Sequence, residues 1–204
     1  MIVIHWPQFA GALILLLLPV TLLHSPNTRY RLMDRRWLSA LLRALLFPWH
    51  WVDLLRSVMG FKMLQASFSL PGFGLVSPTA MTLIAQGAIV LLTVLINLMA
   101  IKNRDFSHAP FALVIAVLFV LLPPLVAVGG LVIAFTIALG IQVASAFFFV
   151  LPIAAFALVA LLYPDPLFLP TAILTAISWT SPLMALLLSR KLVLANSPHL
   201  ESHR

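Results

Sequence analysis

His50 and Asp53 stand three residues apart in "FPWHWVDLLRS", so a helix would carry both on one face. That spacing admits two chemistries, a general-base pair and two ligands of a metal site. A third ligand is missing nearby, and no second His-carboxylate set recurs elsewhere in the chain. Asp53 also has Arg56 and Ser57 within helical reach, and pairing with one of them is the expected role. No phosphate-binding loop is present, since "PGFG" at 71–74 lacks the lysine and the helix signature that follow in such loops. With no cysteine, disulfides, thiolate metal sites and cysteine nucleophiles are excluded. The sequence predicts no catalytic residue, no metal and no cofactor.

The elements around that pair are written for a membrane. Hydrophobic residues make up 63% of the chain and charged residues 8%, with a mean hydropathy of +1.13. A soluble domain needs about a quarter of its residues charged to cover its surface. Here lipid must solvate much of the exterior, so the expected fold is an all-α integral membrane protein. Seven of the twelve Lys and Arg residues fall between Arg29 and Lys62, beside long apolar runs. Placed there, they are topology signals and contacts to anionic lipid headgroups, and they do not predict nucleic-acid binding.

Five spans are expected, at about 6–23, 79–101, 111–135, 138–163 and 167–188. The first has no basic residue before it and several after it, the reverse of a secretory signal, and is expected to be retained with the N-terminus outside. Residues 111–163 run for 53 positions without a formal charge, roughly 80 Å as helix against a hydrocarbon core of roughly 30 Å. That stretch must cross twice. A turn at Pro123–Pro124 would leave a helix too short to span, so the prolines are expected to kink the third span and the turn to fall within Gly129–Gly140. With this layout ten basic residues lie on the side of the C-terminal tail and two, Lys102 and Arg104, on the other. The positive-inside rule favours that count, with the tail in the cytoplasm. The whole chain is expected to form a single domain, in a bacterial inner membrane.

Between the first two spans, residues 34–60 are expected to form two short amphipathic helices lying in the interface plane. Asp34 can cap the first, whose Arg35, Arg36 and Arg43 lie opposite Trp37 and its leucines. Pro48 can open the second and Gly60 end it, with His50, Asp53 and Ser57 opposite Trp51, Leu54, Leu55 and Val58. Arg35, Arg36, Arg43 and Arg56 would meet headgroups, while Trp37, Trp49 and Trp51 sit at the boundary. Residues 63–78 are expected to be a loop at or partly within the membrane.

The predicted spans hold no charged residue, which argues against ion-coupled carriers. Their polar residues fall in stripes: Gln86, Thr93 and Asn97 in one span, and Thr171, Thr175 and Ser178 in another, with Gln142 near the fourth. Such stripes pack helix against helix through small residues and hydrogen bonds. They would alternatively line a polar path. The hydroxyls of "SWTSP", 178–182, are expected to compensate the amide lost at Pro182. The leading functional expectation is a non-catalytic subunit or accessory factor that packs against partner membrane proteins or itself, and against anionic lipid. A pore or carrier for a neutral solute ranks second. A lipid-modifying enzyme using His50 and Asp53 ranks last.

Overall fold

The computed structural model describes residues 3–18, 29–32, 48–69, 80–99, 106–163 and 167–196. Seven helices carry these residues: α1 Trp6–Leu17, α2 Pro48–Ala66, α3 Ala80–Met99, α4 Phe111–Leu121, α5 Pro124–Ile141, α6 Ala144–Leu162 and α7 Phe168–Leu187. Five short strands complete them: β1 Val3–Ile4, β2 Arg29–Leu32, β3 Phe68–Ser69, β4 Phe106–His108 and β5 Lys191–Asn196. The fold is all-α, and α3, α5, α6 and α7 are long and apolar enough to cross a membrane. The helices α1 and α4 are equally apolar but shorter. Residues 19–23 of the expected first span, and residues 34–47 with Arg35, Arg36, Trp37 and Arg43, lie outside the described residues.

The uncharged stretch holds three helices where two were expected. Pro123 and Pro124 break it outright rather than kink it. A residue before proline is driven out of the helical region, and Leu122 adopts φ −117°, ψ 153°. Pro124 then opens α5 in the first helical turn, where its missing amide costs nothing. The expected third span over 111–135 is therefore replaced by α4, about 16 Å long, and α5. The turn after α5 falls at Gln142–Val143, beyond the predicted Gly129–Gly140 window. Both Gly129 and Gly130 lie inside α5. Gly130 faces Ala155 of α6, with room for a Cβ at 3.7 Å, so its place there is a close helix approach and not a turn.

Gly60 likewise does not end its helix. A Cβ at Gly60 would meet Leu16 Cγ at 2.9 Å and Leu15 Cβ at 3.2 Å, so glycine lets α2 lie hard against α1. Packing of this kind outweighs the roughly 1 kcal/mol helix cost of a glycine, and α2 continues to Ala66. The predicted loop over 63–78 begins only after that, and residues 70–78 lie outside the described residues. The two helices run antiparallel, tied at one end by β1 against β3 and by the His5 amide donating to the Ser67 carbonyl at 2.8 Å.

One strand set fixes the relation between distant segments. β5 lies between β2 and β4, antiparallel to β2 and parallel to β4. Arg29 pairs with Asn196 and Leu32 with Val193, while Phe106 pairs with Lys191 and His108 with Val193. α3 leads into β4 and α7 into β5, so both helices end at the same end of the bundle. Gly87 of α3 touching Ile173 of α7 shows them side by side. This corrects the expected topology, in which the segment after α3 and the tail were on opposite sides. Four helices, not three, separate the two strands, because α4 is a separate rung. Above the strands a cluster of Phe111, Phe135, Phe147 and Phe148, with ring centroids 4.7–5.5 Å apart, joins α4, α5 and α6.

Candidate functional site

The polar face of α2 points inward. Asp53 and Arg56 are 3% and 8% exposed, and Ser57 is fully buried. Arg56 donates from Nε and Nη2 to Asp53 Oδ1, at 3.1 and 2.7 Å. Its Nη1 donates to the Leu18 carbonyl beyond the end of α1. A guanidinium has five donors in a fixed fork, and here the fork joins the carboxylate of its own helix to an orphan carbonyl of the next. Ser57 Oγ is buried without a hydrogen-bond partner. The outward face of α2 is apolar instead, with Trp51, Val52, Leu55 and Met59 exposed.

An interfacial helix would show the opposite orientation. Trp51 is exposed as a boundary residue should be, and Trp49 lies outside the described side chains. Arg56 departs from its expected headgroup contact, because α1 and α4 pack over the face that was to meet water. The absence of charge from the predicted spans therefore does not extend to the bundle interior. The pairing of Asp53 with Arg56 agrees with expectation, with Asp53 Oδ1 accepting both bonds. Among the described residues no three His or carboxylate side chains converge.

The two polar stripes are brought onto neighbouring helices. Gln86, Thr93 and Asn97 are buried on α3, and Thr171, Ser178 and Ser181 on α7, with Thr175 half-buried. Most of their donors turn back to their own helices. Thr93 Oγ1 donates to the Ile89 carbonyl at 3.0 Å, Asn97 Nδ2 to the Thr93 carbonyl at 2.9 Å, and Thr175 Oγ1 to the Thr171 carbonyl at 2.7 Å. Thr171 Oγ1 donates to the carbonyls of Leu167 and Phe168. Gln86 Oε1 and Ser181 Oγ stay buried and unpaired. Gln142 does not join them. It occupies the exposed turn after α5 with φ 58°, a left-handed conformation that belongs to the turn.

Pro152, inside α6, is the residue that sequence reasoning overlooked. Its missing amide frees the carbonyl four residues back, that of Phe148. Ser178 Oγ of α7 donates to that carbonyl at 2.7 Å, and Trp179 Nε1 donates to the Phe149 carbonyl at 3.3 Å. The hydroxyl of "SWTSP" thus compensates Pro152 on the neighbouring helix, not Pro182 on its own. The signal was available in "FVLPIAAF", a proline centred in a long apolar run. Ser178→Ala should destabilise the protein by about 1–2 kcal/mol by orphaning the carbonyl, read as a lowered unfolding midpoint in detergent. A midpoint unchanged would mean that another donor serves Phe148.

Beside that bond, α6 and α7 part to leave an open lateral groove of about 600 Å³. Ile153, Phe156, Phe168 and Trp179 form its apolar and aromatic walls, and Ala172 and Ala176 its floor. The Phe156 and Phe168 rings are in contact, with centroids 5.9 Å apart. The hydroxyls of Thr171 and Thr175 line the groove with their donors already bonded to backbone carbonyls, which leaves its surface mainly apolar. Comparison with known protein families, with characterised proteins and with solved structures finds no match for this chain.

Proposed function

We propose that this multi-pass protein is a non-catalytic component of a membrane assembly, packing against a partner membrane protein and anionic lipid. The observation that carries this reading is the lateral groove between α6 and α7. Small residues let helix backbones approach closely in lipid, where packing and not hydrophobicity drives association. Ala172 and Ala176, four residues apart on the groove floor, offer such an approach between aromatic walls.

In this proposal the protein sits in a bacterial inner membrane with the β2–β5–β4 end in the cytoplasm and the N-terminus outside. Support comes from the positive-inside rule applied to the segments that meet at those strands. Residues 19–47, 100–110 and 188–204 hold ten of the twelve Lys and Arg residues.

A photo-crosslinking residue at Ala176 tests the assembly reading in native membranes. It should yield a discrete protein adduct that the same residue at Ile137, on the exposed side of α5, does not give. Lipid adducts alone at Ala176 would overturn it.

A further inference from the structure

The pair α1–α2 carries its polarity on the inside. Asp53, Arg56 and Ser57 of α2 are buried, and Arg56 donates to Asp53 and to the Leu18 carbonyl. Ionisable residues in a membrane bundle are housed in this way, facing its interior and paired with one another or with backbone carbonyls. The outward stripe of α2 recurs every three or four residues, through Trp51, Val52, Leu55 and Met59. Those four side chains include no charge and no glycine, alanine, serine or threonine. Helix faces that pack against protein in lipid are rich in such small residues. On α2 they lie on the inner side, where Ser57 is buried and Gly60 meets Leu15 and Leu16 of α1. The outward stripe therefore suits lipid chains better than a partner helix.

That apolar exposure has a boundary. Lys62 continues the stripe one turn before the end of α2 and is exposed, and Trp6 and Gln8 are exposed in the first turn of α1. Met63 lies against Gly11, so these three residues share one end of the pair, beside β1 and β3. An indole, an amide and an ammonium on a long apolar stem are the side chains of a headgroup boundary. Away from that end the exposed residues turn apolar on both helices, with Ile14 and Leu18 on α1 and Leu55 and Met59 on α2.

We propose that α1 and α2 form an antiparallel pair embedded in the bilayer, with the Val52, Leu55 and Met59 face solvated by lipid hydrocarbon and Trp6, Gln8 and Lys62 at the headgroup boundary. This inference rests on the multi-pass character of the chain and is independent of any protein partner. The test uses full-length protein in vesicles of mixed phosphatidylglycerol and phosphatidylcholine, with a nitroxide on a single engineered cysteine. Power-saturation EPR with dissolved oxygen and with a neutral, water-soluble nickel chelate then reads what each label touches. Leu55→Cys and Met59→Cys should be open to oxygen. Their nickel access should fall at least about tenfold below that of Gln8→Cys, because the chelate must shed its hydration to enter hydrocarbon. Lys62→Cys should resemble Gln8→Cys. Should the label at Leu55 lower helix content, Val52→Cys takes its place, with the same result expected. Nickel access at Leu55 and Met59 equal to that at Gln8 would overturn the proposal by placing the face in water. Exclusion of both reagents would also overturn it, by showing a second copy of the chain over the face. A missing protein adduct at Ala176 with this pattern intact would remove the partner reading and leave this one standing.

Discussion

Asp53→Ala should cost about 3–5 kcal/mol, because it leaves the Arg56 guanidinium buried without its carboxylate. The expected readout is a large drop in the unfolding midpoint in detergent. Arg56→Ala should cost a similar amount and would also free the Leu18 carbonyl that Arg56 holds. The paired replacement Asp53→Leu with Arg56→Met should recover most of the loss, since a well-packed apolar pair avoids desolvating two charges. The pattern to look for is strong non-additivity, with the double variant more stable than either single one. Additive losses, or a single variant with an unchanged midpoint, would mean that the pair is not buried and that α2 does lie on the membrane surface.

Labelling from one side should separate the two topologies without ambiguity. The natural chain has no cysteine, so each engineered thiol reports alone. Asn103→Cys and Ser197→Cys should react with an impermeant maleimide from the same side, because β4 and β5 pair directly. Ser77→Cys precedes α3 and should react from the other side. Five spans laid out by charge give the reverse: Ser77 and Ser197 together, with Asn103 opposite. All-or-none differences are expected for each site. A result matching the five-span layout would show that the strands do not form in the membrane.

Much of the helix layout was legible because lipid imposes a simple rule on composition. Runs of twenty apolar residues must be helices; α3 and α7 fall within two residues of their expected spans, while α6 begins six residues later than expected. What failed was the reading of breakers. Gly60, Gly129 and Gly130 look like helix ends in a sequence, yet Gly60 and Gly130 are where neighbouring helices come close. Pro123–Pro124 looked too costly a place to stop, because a twelve-residue helix seemed too short to keep. Packed against α2 and α7, such a helix is held by protein at a length that lipid alone would not support. The direction of α2 was illegible for a related reason. An amphipathic helix shows two faces in sequence but not which one meets protein, and the long reach from Arg56 to Leu18 carries no local signal. The hydroxyls of "SWTSP" look in sequence to serve Pro182, whereas Ser178 Oγ donates to a carbonyl thirty residues away.

β5 is the central strand of its set and the most C-terminal of the five, so neither β2 nor β4 has its partner until α7 is in place. During synthesis β4 waits with an open edge while four further described helices emerge, and β2 while six do, an arrangement of high sequence separation that closes late. A chain stopped before Lys191 would leave those two strands with nothing between them. Completion of the bundle and closure of its charged end are therefore a single event.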